Sequence, residues 1–239
     1  LSDRGVSKEM APLPALLAAS GLHHGLTRNR HRSSCGIVVE SGEVREVHHC
    51  AMLFGYGVTA INPYLCYEVM DEMIRENYIT GVTLEEAVYN YSKAVTKGVT
   101  KVMTKIGIST LKSYRGAQIF EAVGLSNKLV DKYFTGTASR IGGIGLEEIA
   151  TESAARHYRA FPDNEVAAKL DLEVGGDYQW RRDGESHMFN PLTVAKLQKS
   201  VREDNPDNYD EYAKMINDQS KKHMTIRGLF EFKKQKAIP

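Results

Sequence analysis

The chain has 239 residues, 42% of them hydrophobic and 26% charged, enough to bury one substantial core in an ordinary globular protein. Its 31 Lys and Arg against 30 Asp and Glu leave a formal net charge of +1, which supplies no global field to attract nucleic acid or an anionic membrane and disfavours both as partners. The longest apolar runs, such as LPALLAASGL, are too short to span a bilayer, and no basic stretch precedes an apolar one as in a signal peptide, which points to a cytoplasmic protein.

LPALLAASGLHHGLT, residues 13 to 27, has apolar residues at helical spacing, with Pro14 placed in a first turn. CGIVVES, residues 35 to 41, is an apolar, β-branched run suited to a strand buried on both faces. EVHHCAMLFGYG then reads as a short helix stopped by Gly55 and Gly57. The alternation repeats, with VTAIN at 58 to 62 as a strand and PYLCYEVMDEMIREN as a helix opened by Pro63. TLEEAVYNYSKAVTKGVTKVMTKIG carries Thr83 and Glu86 at capping-box spacing and one long or broken apolar stripe, with Gly98 as the candidate break. ISTLKSY is the third strand candidate and GAQIFEAVG the helix after it.

Strands separated by helices of this length predict βαβ units and a parallel sheet, an α/β fold. In such folds ligands gather at the carboxyl ends of the strands, which nominates Glu40, Ser41, Asn62, Ser113, Tyr114 and Arg115. After residue 134 the character changes. TGTASRIGGIG reads as a loop entering a charged helix, and its Thr135, Ser139 and Arg140 face a helix N-terminus in an arrangement that favours an anion, although neither phosphate-loop motif is matched. A linker is expected at 161–179, then two short amphipathic helices in TVAKLQKSVRE and NYDEYAKMINDQS, and a basic run, TIRGLFEFKKQK.

Cys35, Cys50 and Cys66 match no zinc spacing and read as reduced thiols. The pairs His23-His24 and His48-His49 lack HExxH spacing, and adjacent helical residues point about 100° apart, so the expected role is structural and no metal site is assigned. No catalytic triad or paired acids stand out. The opening on Leu1 and the closing Ile-Pro suggest a piece of a longer polypeptide.

The stretches SDRG, VVESGEVREVHHCAMLFGYGVTAINPYL, NYSKAVTKGVTKVMTKIGISTLKSYRGAQIFEAVGL, YFTGTASRIGGIGLEEIA and YQWRRDGESHMFNPLTVAKLQ closely resemble the glutamate synthase large chain along nearly the whole sequence. The resemblance implies residues 1–160 as the later part of the family's central domain, a linker, and 180–239 as the lead-in to an FMN-binding barrel. It implies a partial or degenerate TIM-type barrel, followed by a mostly helical or irregular segment. The implied reaction is reductive transfer of the glutamine amide nitrogen to 2-oxoglutarate, with this segment a scaffold bordering the ammonia channel and inactive alone. FMN and an iron-sulfur cluster would bind outside the segment. The implied partners are the glutamine amidotransferase domain and FMN barrel of the same polypeptide, with an electron-donating small subunit or ferredoxin. The implied compartment is the cytoplasm, or the plastid stroma in a photosynthetic eukaryote. Gly25 and Cys50 depart from the family's usual histidine and phenylalanine, which weakens a metal role for the histidine runs. Two alternatives stay open, a barrel-derived module binding an anion or flavin phosphate and a docking module.

Overall fold

The computed structural model describes residues 1–163 and 174–218, with residues 230 and 233. The chain divides into two compact units, Leu1–Ala168 and Lys169–Pro239. Among the described residues no helix is long and apolar enough to cross a membrane.

The first unit starts with α1 (Ala15–Arg28) and a 3-10 turn (Arg32–Ser34), and continues through β1 (Val38–Glu40), α2 (Val47–Gly55), β2 (Ala60–Asn62), α3 (Tyr64–Arg75) and α4 (Leu84–Ile106). Here the sequence pattern and the structure agree. β1 and β2 pair in parallel, Val39 opposite Ile61, with α2 as the crossover. The opening segment adds to the same sheet: Ser2 bridges Glu40 in parallel, and the Glu40 amide donates to the Leu1 carbonyl at 2.9 Å. The buried core comprises Ala19, Ile37, Val39, Val44, Cys50, Leu53, Val58 and Val99, so one face of β1 packs on α1, α2 and α4. The expected burial on both faces is not found, since Val38 on the other face is 53% exposed.

Thr83 caps α4 as expected, accepting from the Glu86 amide at 3.2 Å while Glu86 accepts from the Thr83 amide at 2.9 Å. Gly98 does not break the helix. It lies where α4 crosses α2, and a Cβ there would collide with Val47. Similarly, Pro14 precedes α1 as its N-cap and is not within its first turn.

Beyond α4 three expectations fail. ISTLKSY is not a strand: Thr110 accepts from the Ser113 amide at 3.3 Å and starts a one-turn helix, α5 (Leu111–Tyr114). GAQIFEAVG is not a helix, because positive φ at Gly116 (76°), Gln118 (55°) and Gly124 (79°) is incompatible with one. Instead β3 (Glu121–Leu125) begins within it. The glycine-rich stretch expected as a loop is β4 (Ala138–Ile144), parallel to β3 with register shifts and connected to it by α6 (Asn127–Tyr133). α7 (Leu146–Ala160) follows. The architecture is mixed α/β, with two separate two-stranded parallel sheets, and the described strands do not close into a barrel.

In the second unit, α8 (Pro191–Glu203) and α9 (Pro206–Asp218) form a helical pair. Asn190 caps α8 through the Leu192 and Thr193 amides at 3.0 and 3.1 Å, and Lys196 meets Glu211 across the pair. Most of the expected linker, and the TIRGLFEFKKQK run apart from Phe230 and Lys233, lie outside the described residues.

Candidate functional site

The carboxyl ends of the first sheet bring Glu40, Ser41 and Asn62 together, as strand position predicted. The residues that organise them come from the opening SDR tripeptide. The Glu40 carboxylate accepts from Ser2 Oγ at 2.7 Å, Arg4 Nε at 2.8 Å and Asn62 Nδ2 at 3.0 Å. Arg4 reaches on to Glu68 at 3.0 Å and lies over the Tyr64 ring, 4.0 Å from its centroid. Asp3 accepts from Ser41 Oγ at 2.6 Å and from the Gly42 amide at 3.0 Å, closing the turn after β1.

These hydrogen bonds, that from Ser2 foremost, hold the Glu40 carboxyl below its usual range. The Tyr64 hydroxyl is pushed up to about 12 by desolvation and by Asp3. Both groups are thereby fixed in one protonation state near neutral pH. The network suits positioning of the strand ends. Beside it lies a cleft of about 640 Å³, with Asp3, Gly42, Arg45, His49 and Tyr64 on its polar walls and Leu16, Val44 and Leu53 among its apolar ones.

The other nominated residues fall elsewhere. Tyr114 is fully buried and donates its hydroxyl to the Ala51 carbonyl at 3.1 Å. Arg115 follows α5, not a strand, and its Nη1 donates to Thr59 Oγ1 at 3.3 Å, at the amino end of β2 and so opposite to Asn62. Ser113 lies within α5, capped by Thr110, whose hydroxyl donates to Ser113 Oγ at 2.9 Å. Thr135 donates to the Asp131 carbonyl at 2.8 Å, and Arg140 is 83% exposed, 3.7 Å from Glu121. Ser139 Oγ is buried without a hydrogen-bond partner among the described residues. The α7 N-terminus already holds an acceptor, since Glu148 Oε2 takes the Gly145 amide at 2.7 Å and Glu147 adds a second negative charge. That donor set does not fit a phosphate.

Nor do the thiols fit a metal cluster. Cys35 is exposed, Cys50 is buried with its thiol pushed up to about 11 by desolvation, and Cys66 donates to the Val44 carbonyl at 3.2 Å. Among the described residues no three His, Cys, Asp or Glu converge as metal ligands.

Within the histidine pairs, His49 Nδ1 accepts from the Arg45 amide at 3.1 Å, whereas His24 Nε2 is buried without a hydrogen-bond partner among the described residues. His23 Nδ1 accepts from Arg32 Nε at 2.9 Å, and burial lowers its pKa to about 4. Arg32 also donates to the Cys35 and Gly57 carbonyls at 2.8 and 2.6 Å, tying α1 to the turn before β2. Sequence reading singled out SDRG only as a family stretch and assigned Asp3 and Arg4 no role, and it missed Arg32, which stands at no recognisable strand end or motif.

A parallel α/β unit with its strand ends locked by an ionic network defines the class of the first unit. The sequence profile of the glutamate synthase central domain matches residues 1–126, and the chain belongs to that family. It is 47% identical over 232 residues to the glutamate synthase [NADPH] large chain of Bacillus subtilis, a match covering 97% of this chain and 15% of the relative. Glutamate synthase [NADH] of Schizosaccharomyces pombe is 43% identical over 242 residues, covering 100% of this chain and 11% of the relative. The chloroplastic ferredoxin-dependent glutamate synthase 2 of Arabidopsis thaliana is 40% identical over 245 residues, covering 98% and 15%. The chain thus spans between a tenth and a sixth of the length of these relatives.

Proposed function

We propose that this chain is the central-domain segment of a glutamate synthase large chain, a scaffold joining a glutamine amidotransferase domain to an FMN-binding barrel. The whole enzyme would move the glutamine amide nitrogen to 2-oxoglutarate and reduce the product to glutamate. Within it residues 1–160 would be the later part of the central domain, 161–179 a linker and 180–239 the lead-in to the barrel. The family match over residues 1–126 carries this reading. The two parallel βαβ pairs support descent from a TIM-type barrel that has lost closure.

FMN would supply the hydride and an iron-sulfur cluster its electrons, both held outside this segment. The occupied α7 N-terminus and the scattered thiols support that assignment. Relatives named for NADPH, NADH and ferredoxin resemble this chain at 47, 43 and 40% identity, which supports placing the determinants of electron donor, small subunit or ferredoxin, elsewhere. The cleft beside Asp3 is the candidate border of the ammonia path, where exclusion of bulk water keeps ammonia unprotonated and nucleophilic. The compartment follows the whole enzyme, cytoplasm or plastid stroma.

Titration of the purified chain with FMN tests the scaffold reading. No saturable flavin binding and no glutamate formation are expected. Tight FMN binding lost in Arg140→Ala would overturn it in favour of a module that holds flavin phosphate.

A further inference from the structure

Between Glu86 and Glu121 the sequence has no acidic residue, yet it carries Lys93, Lys97, Lys101, Lys105, Lys112 and Arg115 in a protein of net charge +1. The first four lie on α4 at four-residue spacing. Each such step rises about 6 Å and turns about 40°, so the ammonium groups form a slowly winding ladder about 18 Å long. All four are exposed, and the face that sends Val95, Val99 and Met103 into the core lies opposite.

Other helices of this chain pair opposite charges at the same spacing, as in Asp71 with Arg75, Glu152 with Arg156 and Lys199 with Glu203. α4 departs from that pattern. None of its ladder lysines meets a carboxylate among the described residues, and Lys93 lies 5.5 Å from the centre of the Tyr89 ring. Like charges one turn apart destabilise a helix. Only Lys105, in the last turn, gains from the helix dipole.

We propose that this ladder docks an acidic protein partner that presents carboxylates on a helix at the same four-residue repeat. A single narrow row matches one helix, whereas a bilayer surface would favour a broad patch. Nucleic acid fits less well, because no arginine or aromatic side chain interleaves the lysines to stack on bases. The intervening hydroxyls are also taken: Thr100 and Thr104 donate to the Thr96 and Thr100 carbonyls at 2.9 and 2.8 Å. Paired in this way, the lysines steer encounter and fix register, with a strength that falls as salt rises. The inference does not depend on the glutamate synthase reading.

The test is fluorescence anisotropy of the full chain with a labelled alanine-rich helical peptide bearing glutamates at four-residue spacing, and with a peptide of equal composition whose glutamates form one block. The spaced peptide should bind more tightly, and its affinity should drop roughly tenfold in the double variant Lys97→Glu/Lys101→Glu. Lys97→Gln/Lys101→Gln should lose less, and Lys128→Glu on α6 or Lys214→Glu on α9 nothing. Circular dichroism checks that α4 stays helical, and the glutamine pair decides the matter if the glutamate pair does not fold. Equal binding of the two peptides, equal loss in the control variants, or tighter capture of oligothymidylate or phosphatidylserine vesicles through the same lysines would overturn the proposal.

Discussion

The two parallel sheets of the first unit have the same connection, strand-helix-strand, and differ in how deeply their covered face is buried. In the first, Val39 is 2% exposed and sits in a core built from α1, α2 and α4, while Val38 on the other face is 53% exposed. In the second, α6 covers one side through Leu129 and Val130, with Phe134 just after it, while Val123 and Ile141, paired across the strands, remain 68% and 62% exposed. Parallel pairs are normally buried on both faces. The comparison teaches that stability is concentrated around the first sheet, and that the second holds its register mainly by backbone pairing and the α6 contact.

The largest expected contrast comes from truncating one apolar side chain at each sheet. Leu53→Ala removes a side chain 2% exposed and should cost about 2–5 kcal/mol, by its lost burial and the cavity left behind. Ile141→Ala, on an open face, should stay within about 0.5 kcal/mol. Urea unfolding followed by far-ultraviolet circular dichroism measures both, and similar losses would erase the distinction between the sheets.

A second contrast uses glycines. Gly57, before β2, has φ 95° and a Cβ there would collide with the His23 ring; Gly124, in β3, has φ 79° with open space around it. Gly124→Ala should cost only the left-handed strain of about 1–2 kcal/mol. Gly57→Ala should cost more, since it also displaces His23 from Arg32. The same unfolding series decides, and equal costs would show that the Arg32 tie contributes nothing.

The smallest effect is on pH dependence. His23 has a folded pKa of about 4, depressed below its unfolded value of about 6.5. The unfolded state therefore binds more protons between these values, and stability should fall as pH drops from about 6.5 to about 4. Neutral His23 contributes fully above that window. His23→Gln should flatten this slope in midpoints measured across the window, and an unchanged slope would place the acid sensitivity elsewhere.

Much of the first half was legible because its signals are local. Thr83 and Glu86 announce α4 three residues apart, Gly55 and Gly57 end α2, and the apolar runs at 37 to 39 and 58 to 61 mark strands, although only some of their residues are buried. Glu40, Ser41 and Asn62 were legible as neighbours for the same reason, since a strand's end fixes its position. The second sheet was not, because β3 depends on hydrogen bonds from β4, which lies beyond an intervening helix. Without that partner GAQIFEAVG has helical apolar spacing, and RIGGIG looks like turn glycines.

The amino-acid sequence by itself determined an α/β chain of the glutamate synthase central-domain family, its principal helices and the strands of its first sheet, for helix caps and buried apolar runs act within a few residues. The tertiary structure alone decided that Asp3 and Arg4 close the first sheet at its carboxyl end and that Ser139 and Arg140 lie on a strand. It also decided that Arg115 stands by Thr59 at the amino end of β2. Each of these depends on groups far apart in sequence finding hydrogen-bond partners, and strand pairing and buried polar satisfaction are set by the whole packed unit.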